Sequence, residues 1–180
     1  FNHLKNIYRQ GWIKNLLGKE HINEIESIAD HSWSVAMLAI SVIEKYKLNY
    51  DITKCMKLSI MHELGEIYAG DFTPSDSVTK EAKHELEKNA LKRLLQSISF
   101  ENDFLEIWEE YEKQESDESR FIRQLDKLEC IMQASCYGLD ISYMETSRDN
   151  ITLPYLKEIL DEIRELTRNN DIPMNMKKKK

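Results

Sequence analysis

At 180 residues the chain has the length of one domain with a sizeable core, and its 41% apolar content is too high for a disordered sequence. Five glycines and three prolines are too few for the many tight turns of an all-β protein. A formal net charge of −7 speaks against general nucleic-acid binding, although a bound cation can reverse the local field for a small anion.

In chain order, the first predicted helix covers residues 4–17 and is ended by Gly18. A polar connection, residues 19–30, leads to residues 32–43, which are apolar on nearly every side, as in a central buried helix. A third helix is predicted over residues 52–69, with Gly70 as the residue beyond its end and Pro74 preventing continuation. Residues 71–78 read as a loop, and helices follow over 80–97 and 102–114. A long helix over 119–137 carries Phe121, Ile122, Leu125, Leu128 and Met132 at helical spacing, with Gly138 to end it. The last helix, 154–167, starts at Pro154, as first turns often do. No stretch alternates as a strand would, and there is neither an internal repeat nor a composition break. The expected fold is therefore all-α, a compact bundle of six or seven helices forming one domain over residues 1–170. Residues 171–180, closing on four lysines, are expected to be a basic, flexible tail.

The three cysteines, Cys55, Cys130 and Cys136, are odd in number and without a CxxC spacing. They read as free, buried or partly buried thiols in a reducing compartment. There is no run of about 18 apolar residues and no leader-peptide pattern, so a soluble, cytoplasmic protein with no membrane partner is expected.

The chemistry concentrates in the segment from Ile60 to Asp71. At about 100° per residue, Glu66 lies about 40° and Glu63 about 100° from His62. Met56, Ile60, Leu64 and Ile67 occupy the opposite side, which leaves one polar notch on an otherwise apolar helix. Buried charge is costly unless paired or bound to a metal, so the notch is a site candidate. Position 66 is Glu, so the zinc-protease pattern His-Glu-x-x-His is absent. Two further features are ordinary when taken alone. His31 stands at the mouth of the most apolar helix, where a capping or core role is common, and Asp126 adjoins the apolar stripe of a long helix, where a salt bridge is common. Together the three helices offer two imidazoles and two carboxylates. That set suits one divalent ion such as Mn²⁺, Fe²⁺, Co²⁺ or Mg²⁺, with positions left for water and phosphate oxygens. Glu66, one turn beyond His62, is placed to handle a proton on water or a leaving alkoxide.

The order His31, His62-Glu63, Asp126 resembles the ligand series of the HD-domain superfamily. Several segments resemble its 5′-deoxynucleotidase branch more closely. Arg9-Gln10-Gly11-Trp12 is similar to that branch's Arg-x-Gly-Trp, and Ser27-Ile28-Ala29-Asp30-His31-Ser32 to its Ser-Val-Ala-x-His segment. His62 to Asp71 resembles His-Asp-x-x-Glu-x-x-x-Gly-Asp. The segments from Trp108 to Glu112 and from Leu125 to Glu129 also look like it.

The resemblance implies hydrolysis of deoxyribonucleoside 5′-monophosphates by a homodimer with one divalent metal. It implies His31, His62, Glu63 and Asp126 as metal ligands and Glu66 as the catalytic carboxylate. Arg9 would contact the phosphate, Trp12 would shape the sugar and phosphate pocket, Asp71 would accept from the sugar 3′-hydroxyl, and Thr73 would line the same loop. Two departures stand out. Glu63 replaces the usual Asp, and its extra methylene moves the carboxylate by roughly 1.5 Å. The stretch between Trp12 and His31 is also longer than in short bacterial members. A non-catalytic nucleotide- or metal-binding regulator, or a hydrolase of another nucleotide phosphate ester, are the alternative readings.

Overall fold

The structure, a computed structural model, describes residues 1–16, 25–73, 76–96, 101–139 and 149–169. Gly18, Pro74, the residues beyond 169 and so the lysine tail lie outside the described residues. The elements are a 3₁₀ turn at Asn2–Asn6 and the helices α1 (Gln10–Leu16), α2 (Ile28–Tyr46), α3 (Ile52–Met61), α4 (Glu66–Ala69), α5 (Lys80–Leu95), α6 (Glu101–Lys113), α7 (Asp117–Cys136) and α8 (Pro154–Arg168). With α4 a single turn, the other seven match the expected bundle. Among the described residues there is no strand, only an isolated antiparallel bridge between Tyr8 and Ser27.

Helix α2 forms the axis of the core and packs on α3 and α7. Val35, Ala39, Leu58, Phe121, Leu125 and Leu128 from these three helices are closed to solvent, and α8 covers them with Leu156 and Leu160. Burying each such leucine is worth about 2 kcal/mol. A second cluster joins Leu64 and Ile67 around α4 to Leu91, Leu95 and Trp108 of α5 and α6. A third joins Trp12 and Leu16 of α1 to Ala134 and Tyr137 at the end of α7.

The structure corrects the expected boundaries in three places. The first helix is not continuous. Residues 7–9 are extended because the Arg9 amide donates to Glu26 O at 3.2 Å and the Ile28 amide to Ile7 O at 2.9 Å. Helix α2 begins four residues earlier than expected, at Ile28. Ser27 caps it, and a reciprocal bond with Asp30 completes a capping box. His31 is therefore inside the helix rather than at its mouth.

The third predicted helix stops at Met61, and residues 62–65 form a tight turn with i→i+3 bonds, Leu64 N to Met61 O at 3.0 Å and Glu66 N to Glu63 O at 3.1 Å. The turn lets α5 come close. A Cβ on Gly65 would lie 2.8 Å from Glu87 Cβ and 3.0 Å from its carbonyl oxygen. The expected helix ends at Gly70 and Gly138 hold, both at positive φ, 84° and 65°.

Candidate metal centre

Four residues from three segments meet at one point. His31 comes from α2, His62 and Glu63 from the turn after α3, and Asp126 from α7. One donor atom of each lies within 4.8 Å of all the others. His31 Nε2 is 3.3 Å from Asp126 Oδ1 and 3.9 Å from Glu63 Oε1, and His62 Nε2 is 3.5 Å from Glu63 Oε1. The regular helical wheel does not hold at 62–66, yet the tight turn still brings His62, Glu63 and Glu66 to the same notch.

Both imidazole nitrogens that face the cluster are without protein hydrogen bonds. His31 Nε2, His62 Nε2, Glu63 Oε2 and Glu66 Oε2 are buried and unpartnered. Other atoms of the same residues are held. His31 Nδ1 lies 2.6 Å from Glu129 Oε2, and His62 Nδ1 donates to Ser59 O at 2.7 Å. Glu63 Oε1, the oxygen that faces both imidazoles, accepts from Arg9 at 2.9 Å, and Asp126 Oδ2 accepts from Tyr111 Oη at 3.2 Å and Lys127 Nζ at 2.9 Å. Imidazoles whose Nδ1 is tied present a lone pair at Nε2, which is how protein metal sites orient histidine. Orphaned nitrogens beside two carboxylates fit a divalent ion, and these four residues could hold one.

The charges agree with this geometry. Burial works against ionisation of Glu63, but Arg9 and the two imidazoles outweigh it and hold the carboxyl below its usual range. Burial likewise opposes ionisation of Asp126, and Lys127 and His31 overcome it. Burial pushes His62 down to about 4, so it is neutral and able to ligate. Burial and Arg9 oppose a charge on His31, but Asp126 and Glu129 prevail and raise it, which marks the spot as one that favours a cation. Glu66 behaves differently. Burial, then the nearby Glu63 and Asp71, raise it well above the usual carboxyl range.

A cavity of about 510 Å³ opens in front of the cluster, lined by His62, Glu63, Glu66 and Asp126 among others. Arg9, Trp12, Asp71 and Thr73 all line it too, so the fold brings the sequence-predicted residues to one cavity. Each has a protein partner. The Arg9 guanidinium also donates to Cys130 Sγ at 3.2 Å. Trp12 Nε1 donates to Glu26 Oε1 at 2.6 Å, and its ring meets Tyr137 edge-on at 5.5 Å. Asp71 accepts from the Gln10 amide at 2.6 Å, and Thr73 meets Lys14 Nζ at 2.6 Å and Asp76. All three cysteines are free thiols.

Sequence reasoning assigned no role to Glu129, Tyr111 or Lys127. The signal available for Glu129 was its spacing. Three residues after Asp126, it falls on the same face of α7.

A family model described as HD domain matches residues 1–166, and the chain belongs to that family. Its relatives include the Homo sapiens protein named 5′-deoxynucleotidase HDDC2, 38% identical over 136 residues, which are 74% of this chain and 63% of that protein. A Dictyostelium discoideum protein of the same name is 34% identical over 141 residues, 74% of this chain and 72% of that protein. The chain thus spans less than two thirds of the human protein's length. Among solved structures, a conserved hypothetical protein from Pyrococcus furiosus is similar with a TM-score of 0.72 and 32% identity, covering 92% of this chain and 95% of that one.

Proposed function

We propose that this chain is a metal-dependent phosphohydrolase that cleaves deoxyribonucleoside 5′-monophosphates to deoxynucleoside and phosphate. The observation that carries the reading is the pair of unpartnered Nε2 atoms of His31 and His62, facing the carboxylates of Glu63 and Asp126, beside a cavity of nucleotide size. Relatives named 5′-deoxynucleotidase support the substrate class.

In this reading His31, His62, Glu63 and Asp126 hold one divalent ion, Mn²⁺, Co²⁺, Fe²⁺ or Mg²⁺. When bound, such an ion supplies Lewis-acid polarisation of the phosphoryl group and lowers the pKa of nearby water. Glu66, whose carboxyl is held above the usual range by burial and by the nearby Glu63 and Asp71, is the group that delivers a proton to the 5′-oxygen as the P–O5′ bond breaks. Water adds to phosphorus and returns one proton to Glu66, so the products are the nucleoside and hydrogen phosphate. Arg9 orients the phosphate end, and Trp12 closes the pocket beside the sugar. Asp71 and Thr73 offer acceptors at the sugar's far side. One domain over residues 1–170, a homodimeric state and a cytoplasmic location belong to the same proposal. Among the described residues no helix is long and apolar enough to cross a membrane.

Purified protein, loaded in turn with each metal, should release phosphate from deoxynucleoside monophosphates and less from the ribo forms. Glu66→Gln should keep metal affinity and lose about 10²- to 10⁴-fold in kcat, the range for a positioned acid–base group. Nucleotide binding without turnover, in every metal form, would overturn the enzyme reading in favour of a binding protein.

A further inference from the structure

Four cations line the cavity, Arg9, Lys83, Arg123 and Lys127. They are not equivalent. Arg9 is nearly enclosed, at 15% side-chain exposure. Its terminal nitrogens face Glu63 Oε1 and Cys130 Sγ, so both prongs of its fork already meet protein groups. Lys83 is paired with Glu87 on its own helix at 3.2 Å. Arg123 lies over the Tyr111 ring at 5.0 Å, with Glu112 at 3.8 Å.

Lys127 stands apart in its place beside the ligand cluster. Its Nζ is 2.9 Å from Asp126 Oδ2, while Asp126 Oδ1 is the oxygen near His31, and its side chain, 32% exposed, lines the cavity. An ammonium on a four-carbon stem can swing about a carboxylate without unfolding anything. A divalent ion on the other oxygen of Asp126 would draw on the same negative charge and loosen the lysine's hold. Glu63 and Asp126 would already neutralise that ion. A phosphate monoester arriving with close to two negative charges would then need further positive charge at the floor of the cavity.

We propose that Lys127 is a substrate-binding residue that contacts a non-bridging phosphate oxygen, taking a share of the role that the family resemblance gives to Arg9. The inference rests on the phosphohydrolase reading. It requires that Lys127 meet the phosphate rather than merely orient Asp126, and these two roles differ in what they disturb.

The test uses Lys127→Met and Lys127→Arg in the Mn²⁺-loaded protein, with inorganic phosphate and a deoxynucleoside as separate probes. Lys127→Met should weaken phosphate inhibition and raise KM by about tenfold or more, the scale of one lost charged hydrogen bond. Mn²⁺ affinity and inhibition by the deoxynucleoside should stay within about twofold, and Lys127→Arg should restore most of the phosphate affinity. Unchanged phosphate inhibition in Lys127→Met would overturn the proposal. So would a loss of Mn²⁺ affinity as large as the loss of phosphate affinity, because Lys127 would then act through Asp126. If the wild-type protein turns over no substrate, calorimetric titration with inorganic phosphate still decides the role of Lys127, while the enzyme reading fails separately.

Discussion

The Glu129 side chain is buried with its Oε2 2.6 Å from His31 Nδ1, and the pair spans the junction of α2 and α7. A carboxylate on Nδ1 fixes both the tautomer and the ring plane of a ligating imidazole. Glu129→Gln keeps the shape but donates or accepts ambiguously at that nitrogen. It should weaken divalent-metal binding by about 10- to 100-fold, measured by titration of the metal-free protein. Unaltered affinity would mean that His31 needs no outside hold. The four cluster residues were legible as a set, since two imidazoles and two carboxylates beside apolar helix faces suit a divalent ion, although His31 and Asp126 are ordinary singly. Glu129 was not, since its role depends on which residue of α2 faces it, and that is decided by the packing of Val35 and Ala39 against Leu125 and Leu128. Glu63 shows the same limit. Its extra methylene was visible, but not that Arg9 would meet its Oε1 at 2.9 Å.

At the scale of elements, the turn between α3 and α4 is the piece on which the centre depends. It carries His62 and Glu63 and delivers Glu66, and it exists in that shape because Gly65 lets α5 approach. Gly65→Ala should cost about 1–3 kcal/mol, as overpacking does, with a lowered urea midpoint and an unchanged slope. An unshifted midpoint would show that Glu87 can yield. Helical periodicity predicted a continuous helix here because the residues 52–69 carry the pattern throughout. The interruption comes from a tertiary contact between Gly65 and Glu87, 22 positions apart in the chain. The split of the first helix has the same origin, in backbone bonds from residues 7 and 9 to residues 28 and 26. By contrast α7 and α8 were legible to within two residues, being long and periodic, with Gly138 to end the one and Pro154 to open the other.

Over the whole molecule, two buried carboxyls leave a mark on stability. Burial raises Glu87 from 4.5 to about 7, and it raises Glu26 likewise to about 7. Between those values the folded chain holds protons that the unfolded chain has released. The stability they contribute is full below pH 4.5 and is lost as pH rises through 7. Glu87→Gln cannot titrate, so it should match the wild type near pH 4.5 and exceed it by roughly 1–3 kcal/mol at pH 8. Denaturation curves at several pH values check this. Parallel profiles for the two proteins would assign the pH dependence elsewhere.

The bond from the Gln10 amide to Asp71 joins the start of α1 to the loop after α4, two walls of the cavity that are far apart in sequence. Surface connections usually accept insertions and deletions freely. Here a change of length near residue 71 would be carried straight to Arg9 and Trp12. Loop variation, the ordinary route by which a fold acquires new substrates, is therefore restricted on this side of the molecule, and divergence has to come through side-chain exchange at fixed chain length.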